Sequence, residues 1–348
     1  MHSKFLLIQL GDIGDIVWMM PAIRAIKDSG RAATISILVK KAFGSLLQGQ
    51  PIIDEIFLVP DSSGSRALKD NLSLMSELRK RKFDMVIDFR SGDRGAAMSF
   101  ICGAPVRVAE LYRSGVPFWR NWAYTRLVEP IHIRKRGAAE QSLRILREIG
   151  IDSKSEVPEL QVPNEKRAAV RARLNEKGFH DGDVWVSINP FSRWSYKEID
   201  PEKWVEVVNW LWSEYRIKSI LIGSPGEREK ADKIKSDTGQ HCLNLAGETS
   251  LGDLPALLSL SRLHIGVDSA GPHIAAAVGT PTVTIYGPSD WFDWAPVGDR
   301  HSLIIPDMEC SPCHRKGCED SGKSKCLDEL PVEKIKTAIV SAMEKTSA

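Results

Sequence analysis

Apolar, β-rich runs recur along this chain, and amphipathic segments separate them. "KFLLIQL", "ATISILVK", "EIFLVP" and "DMVIDF" read as buried strands in the first half, and "DVWVSINP", "KSILIGSP", "RLHIGVD" and "PTVTIYGP" in the second. Continuous rather than alternating apolar strands belong to parallel sheets covered on both faces. Helices are expected at Ile16–Lys27, Ser73–Arg81, Glu140–Ile149, Pro201–Tyr215 and Pro272–Val278, with a kink at Pro21. Between the halves lies "IDSKSEVPELQVPNEK", polar and carrying Pro158 and Pro163. The expectation is therefore two doubly wound α/β domains, residues 1–163 and 164–348, a division that suits a chain of 348 residues.

The bulk numbers exclude more than they assign. A formal charge of +2 argues against a nucleic-acid partner. No run approaches the roughly 18 apolar residues of a spanning helix, and "MHSKFLLIQLGD" lacks a signal-peptide pattern. The expected location is the cytoplasm. Charge is uneven, however. Between Ile101 and Arg147 nine basic residues (Arg107, Arg113, Arg120, Arg126, Arg134, Lys135, Arg136, Arg144, Arg147) face only Glu110, Glu129 and Glu140. Such a run reads either as a solvated face or as a surface for an anionic substrate or membrane leaflet. Cys310, Cys313, Cys318 and Cys326 crowd into "CSPCHRKGCEDSGKSKC". In a reducing compartment a structural zinc, a redox-labile staple and free thiols are the open readings.

In open α/β sheets, ligands sit beyond the carboxyl ends of strands. The motifs of this chain fall at such ends. In "GVDSAGPHIAAAVG" small residues follow Asp268 and lead into a helix, so the backbone N–H groups of Ser269 and Ala270 can approach an anion. Taken singly, Asp268 reads as an N-cap and His273 as a core histidine; together with the turn they read as a phosphate seat. "NPFSRWSYK" offers the Ser192 hydroxyl and the Lys197 ammonium to the same anion. Trp204, Val207, Val208 and Leu211 fall at helical spacing and read as core. In "IGSPGERE", Glu227 could take the hydroxyls of a ribose or simply start a helix.

The first turn, "QLGDIGD", lacks the glycine spacing of a dinucleotide fingerprint. Its two carboxylates would repel a pyrophosphate. A carboxylate there can instead accept a proton from an attacking alcohol. Asp15 stands at the helix start, with Gly14 leaving room for the hydroxyl, and Asp12 braces the turn.

At "LGDIGDIVWMMPAIRAIK", "SYKEIDPEKW" and "GVDSAGPHIAAAVGTPTVTIYGPSD" the chain resembles glycosyltransferase family 9, the bacterial heptosyltransferases of the lipopolysaccharide inner core. The resemblance spans nearly the whole sequence. The family's Asp-Thr-Gly-x-x-His appears here as Asp268-Ser269-Ala270-Gly271-Pro272-His273, and Arg193 stands where a second hydroxyl residue is usual. The resemblance implies a GT-B fold, an N-terminal acceptor domain and a C-terminal domain for ADP-heptose. It implies Asp15 as general base, Ser192, Lys197 and the backbone at Ser269 and Ala270 on the diphosphate, Asp268 on the donor sugar, His273 supporting the turn and Glu227 on the adenosine ribose. The basic run would then meet a phosphate- and Kdo-bearing lipid at the inner leaflet, in peripheral contact with the membrane. The reaction expected is inverting transfer that requires no metal, since no Asp-x-Asp motif lies in a suitable loop. A nucleotide-sugar epimerase on the same scaffold, and a zinc-binding interaction module with a relic transferase core, are the competing expectations.

Overall fold

A computed structural model describes residues 3–60, 64–112, 117, 119–130 and 137–345. The chain divides into two compact units, Met1–Gln161 and Val162–Ala348.

The first unit is built on six parallel strands: β1 (Ser3–Gln9), β2 (Ala32–Lys40), β3 (Glu55–Val59), β4 (Met85–Asp88), β5 (Val106–Glu110) and β6 (Arg126–Val128). Their order is β3-β2-β1-β4-β5-β6. The second holds β7 (Trp185–Asn189), β8 (Lys218–Leu221), β9 (Cys242–Asn244), β10 (His264–Val267), β11 (Thr282–Ile285) and β12 (His301–Ile304), ordered β12-β11-β10-β7-β8-β9. Numbered within each unit, both sheets follow one doubly wound order. The order reverses direction between β1 and β4 in the first unit and between β7 and β10 in the second. Loops leaving adjacent strands there diverge to opposite faces and open a crevice.

Burial explains which strands are legible in sequence. β7, β10 and β11 are buried at every position, and central strands of this kind read as unbroken apolar runs. β5, β6, β9 and β12 carry no such run. Three of them are sheet edges, and β5 is interrupted by Arg107, whose guanidinium is tied to the carbonyls of Ala104 and Ala123 at 2.6 Å each.

The first helix, α1, spans Ile13–Asp28 and includes Pro21. The expected kink does not end it, because the residues from Ile16 to Ile23 are all buried and packing outweighs one missing backbone bond. The helix over Pro201–Tyr215 starts where expected: the Asp200 carboxylate accepts from Glu202 N at 2.9 Å, with proline in the first turn. Its Trp204, Val207, Val208 and Leu211 are fully buried in the core of the second unit, as their spacing predicts. The Ala270–Ala277 helix begins before Pro272, and its N-cap is Ser269 rather than Asp268. That shift frees the Asp268 side chain for another task.

Candidate functional site

In the first unit the turn after β1 and the loop after β4 meet at the reversal of strand order, where Ile8 pairs with Asp88. Asp15 lies in the first turn of α1, and its Oδ2 accepts the backbone N–H of Asp12 at 2.7 Å. That bond closes the turn and aims the carboxylate back across it. Gly11 makes this geometry available: a Cβ at Gly11 would stand 2.2 Å from Asp15 Oδ2. Gly14 is half-buried inside α1. Asp12 is exposed, with its Oδ1 3.8 Å from Lys40 Nζ. Across from Asp15, the Arg90 guanidinium comes within 3.8 Å of its other oxygen.

In the second unit the loops after β7 and β10 meet in the same way. Lys197 donates from Nζ to Asp268 Oδ2 at 2.6 Å, and both side chains are largely withdrawn from solvent. Ser192 donates to the Asp268 carbonyl at 3.3 Å, and its own N–H is held by Glu198 Oε1 at 3.1 Å. Arg193 lies against the Trp194 ring. The charges of Lys197 and Asp268 offset each other, and the start of the Ala270–Ala277 helix brings its N-terminal N–H groups and dipole to the same turn.

Beneath that turn the structure adds two residues that spacing alone does not flag. Asn189 Nδ2 donates to the Ser269 hydroxyl at 2.8 Å, and that hydroxyl reaches the Val267 carbonyl at 3.2 Å. His264, fully buried, meets the Ser187 hydroxyl through Nδ1 at 3.0 Å. A Cβ at Gly271 would come within 2.7 Å of His264 Nε2 and 3.1 Å of Asn189 Nδ2, so the small residue lets the helix start sit directly over both. His273 is also buried, and burial pulls its pKa down to about 4 against an opposing pull from Asp268. Burial takes His264 down to about 3. Both are neutral at physiological pH.

Glu227 lies farther along the same carboxyl edge, after β8. Its Oε2 accepts Ser224 N at 2.6 Å, which makes it the closing half of a capping box. The carboxylate also lies over Gly223, where an added Cβ would be 2.9 Å from Oε2.

The cysteine-rich segment touches the Lys197 loop: Ser324 donates to the Tyr196 carbonyl at 2.6 Å and Ser195 to the Gly322 carbonyl at 3.1 Å. All four of its cysteines are free thiols. Cys326 is pushed up to about 11, first by burial and then by the like charges of Cys310, Cys313 and Cys318. Among the described residues, no three or more His, Cys, Asp or Glu side chains are grouped as a metal site.

The basic run has a structural explanation where it is described. Arg144 pairs with Glu110, Arg147 with Glu140 and with Asp152, and Arg126 donates to the Glu148 carbonyl at 3.0 Å. Arg120 lies over the Tyr112 ring. With Arg107, these arginines tie strands and helices of their own unit together. Arg113, Arg134, Lys135 and Arg136 lie outside the described residues. No helix among the described residues is long and apolar enough to cross a membrane.

Comparison with known proteins bears on the fold and the family. Lipopolysaccharide heptosyltransferase 3 of Escherichia coli is 27% identical over 81% of this chain and 83% of its own length. The glycosyl transferase family 9 structure from Veillonella parvula superposes with a TM-score of 0.84 at 18% identity, covering 99% of this chain and 97% of that one. The E. coli heptosyltransferase WaaC with ADP-2-deoxy-2-fluoro heptose gives a TM-score of 0.72 at 16% identity, over 97% and 99% of the two chains. These likenesses fix the fold as GT-B, two Rossmann-like units in one chain. The model of glycosyltransferase family 9 (heptosyltransferase) matches residues 71–323, and the chain belongs to that glycosyltransferase family.

Proposed function

We propose that this glycosyltransferase moves a heptose from ADP-heptose to a hydroxyl of an anionic, lipid-linked glycan, with inversion at the anomeric carbon. The observation that carries the reading is a matched pair of switch-point sites: a carboxylate held beside a cation in the first unit, and a small-residue helix start with a lysine in the second. Asp15 takes the proton of the acceptor hydroxyl as its oxygen attacks the anomeric carbon. The bond from that carbon to the diphosphate oxygen breaks, and ADP departs with the electron pair. Lys197, Ser192 and the N–H groups of Ser269 and Ala270 receive the charge that develops on the diphosphate. No metal is assigned to this step. Asp268 holds the Lys197 ammonium at the turn and is available to a sugar hydroxyl, His273 supports the turn as a neutral side chain, and Glu227 is assigned to the adenosine ribose. Action on a lipid-linked acceptor implies work at the cytoplasmic leaflet as a peripheral protein.

The test is a calorimetric panel of ADP-, UDP- and GDP-sugars, followed by product analysis with and without a deacylated lipopolysaccharide core acceptor. The expected result is preferential binding of the ADP-sugar and turnover only when acceptor is present. Consumption of donor alone would instead favour an epimerase.

A further inference from the structure

The Ala270–Ala277 helix starts without the cap its own sequence offers. Serine at an N-cap ordinarily turns its hydroxyl back to accept the N–H of the second or third helical residue. Ser269 is the N-cap, yet its side chain makes no such bond. The third helical residue is Pro272, which has no N–H, so the Gly271 N–H is the group this hydroxyl would take. The hydroxyl is held elsewhere. It donates to the Val267 carbonyl at 3.2 Å and accepts Asn189 Nδ2 at 2.8 Å. Val267 ends β10 and Asn189 ends β7, so both contacts draw the hydroxyl towards the sheet and away from the helix.

Asn189 is seated for this contact. It pairs with Gly266 of β10, and its Oδ1 accepts Phe191 N at 3.4 Å, which leaves the amide NH2 to face Ser269. Two glycines make the room. A Cβ at Gly266 would stand 3.3 Å from Asn189 Cβ, and one at Gly271 would stand 3.1 Å from Nδ2. A second polar group lies beside it under the helix start. His264 is fully buried, and its Nε2 has no hydrogen-bond partner among the described residues. A Cβ at Gly271 would come within 2.7 Å of that atom. Buried polar atoms are nearly always paired. One left unpaired beneath a helix start marks a place arranged for a ligand rather than for stability alone.

We propose that Asn189 is a positioning residue of the donor seat: it withholds the Ser269 hydroxyl from the helix, so that the N–H groups of Ala270 and Gly271 stay open to the diphosphate. The inference rests on the donor reading of this turn. It extends that reading by one more hydrogen-bond donor, the Gly271 N–H, and by a residue that acts through Ser269 rather than on the ligand. A helix start that capped itself would gain stability and have one N–H fewer to offer an anion.

The experiment is calorimetric titration of ADP into wild type, Asn189→Ala, Ser269→Ala and the double variant, with a melting curve for each. Asn189→Ala releases the hydroxyl to cap Gly271, and should raise the Kd by about 10-fold, the loss of one hydrogen bond to a charged group. Deleting the hydroxyl as well should recover most of that loss, so that the double variant binds like Ser269→Ala and more tightly than Asn189→Ala. A merely structural brace gives no such rescue: the double variant would then bind no better than Asn189→Ala. That result overturns the proposal, and so does an unchanged Kd in Asn189→Ala. Asn189→Ser, whose hydroxyl falls short of Ser269, takes the place of Asn189→Ala in the cycle if the latter does not fold, with the same rescue expected. Lys197→Ala, titrated alongside, separates the two layers. If it weakens ADP binding while Asn189→Ala does not, only this inference fails. If wild type and Lys197→Ala bind ADP alike, the donor reading fails and the inference falls with it.

Discussion

The two sheets share a strand order but hold their charges differently at the point where that order reverses. In the first unit Asp15 and Arg90 stand 3.8 Å apart, with the arginine side chain 55% exposed. In the second, Lys197 and Asp268 close to 2.6 Å, and the lysine side chain is 21% exposed; the two carboxylates themselves are 14% and 8% exposed. A group that must exchange a proton with an incoming hydroxyl needs a partner that polarises it without covering it. A seat for a departing diphosphate gains from being pre-organised, because it then spends nothing on reorganisation as charge develops. Asn189, His264 and the small residues at Ser269 and Gly271 build that rigidity from below.

The contrast can be broken experimentally. The largest effect should follow Asp15→Ala, which removes the proposed base and should lower kcat by about 10²–10⁴-fold, read in a steady-state assay with acceptor present. Retained turnover would place the base elsewhere.

Next in size is the response of the second unit to acid. Folded His273 binds a proton only near pH 4, yet its ordinary value is 6.5. Once unfolded it therefore takes up a proton that the native state refuses throughout that window. The stability contributed by neutral His273 is complete above pH 6.5 and is lost as pH falls towards 4. His264 acts in the same direction over a wider range, down to about 3. The melting temperature should drop on going from pH 7 to pH 5, and His273→Gln should make the decline shallower by about one proton. An unchanged slope in that variant would mean His273 is charged or exposed.

The smallest expected effect concerns the brace between the cysteine-rich segment and the Lys197 loop. Ser324→Ala deletes one buried hydrogen bond to the Tyr196 carbonyl, worth about 1 kcal/mol. In a unit of this size that is a fall of about 2–4 °C in melting temperature, measurable by calorimetry. A loss of ADP binding larger than this stability change would give the segment a part in holding the donor.

How much of this was legible beforehand depends on how local each feature is. The strands that are buried on both faces announce themselves, and so do the loops after β1, β8 and β10, because glycine and small residues mark backbone that must be approached closely; the loop after β7 is marked instead by Ser192 and Lys197. Arg90 and Asn189 are invisible as site residues for a common reason. Each matters through a strand neighbour distant in sequence, β1 beside β4 or β7 beside β10, and no window of local periodicity contains that pairing. Within the basic run, counting charges cannot reveal that Arg144 is matched by Glu110 and Arg147 by Glu140. For Asp268, a one-residue shift in the helix start, placing the N-cap at Ser269, turns an apparent cap into the partner of Lys197.

The division of labour between the units is tested most directly by titrating ADP calorimetrically into Asp15→Ala and Lys197→Ala. The account predicts an unchanged Kd for Asp15→Ala. For Lys197→Ala it predicts a Kd raised by about 10–100-fold, the loss of a charge-assisted contact. Equal weakening in both variants, or weakening confined to Asp15→Ala, would contradict it.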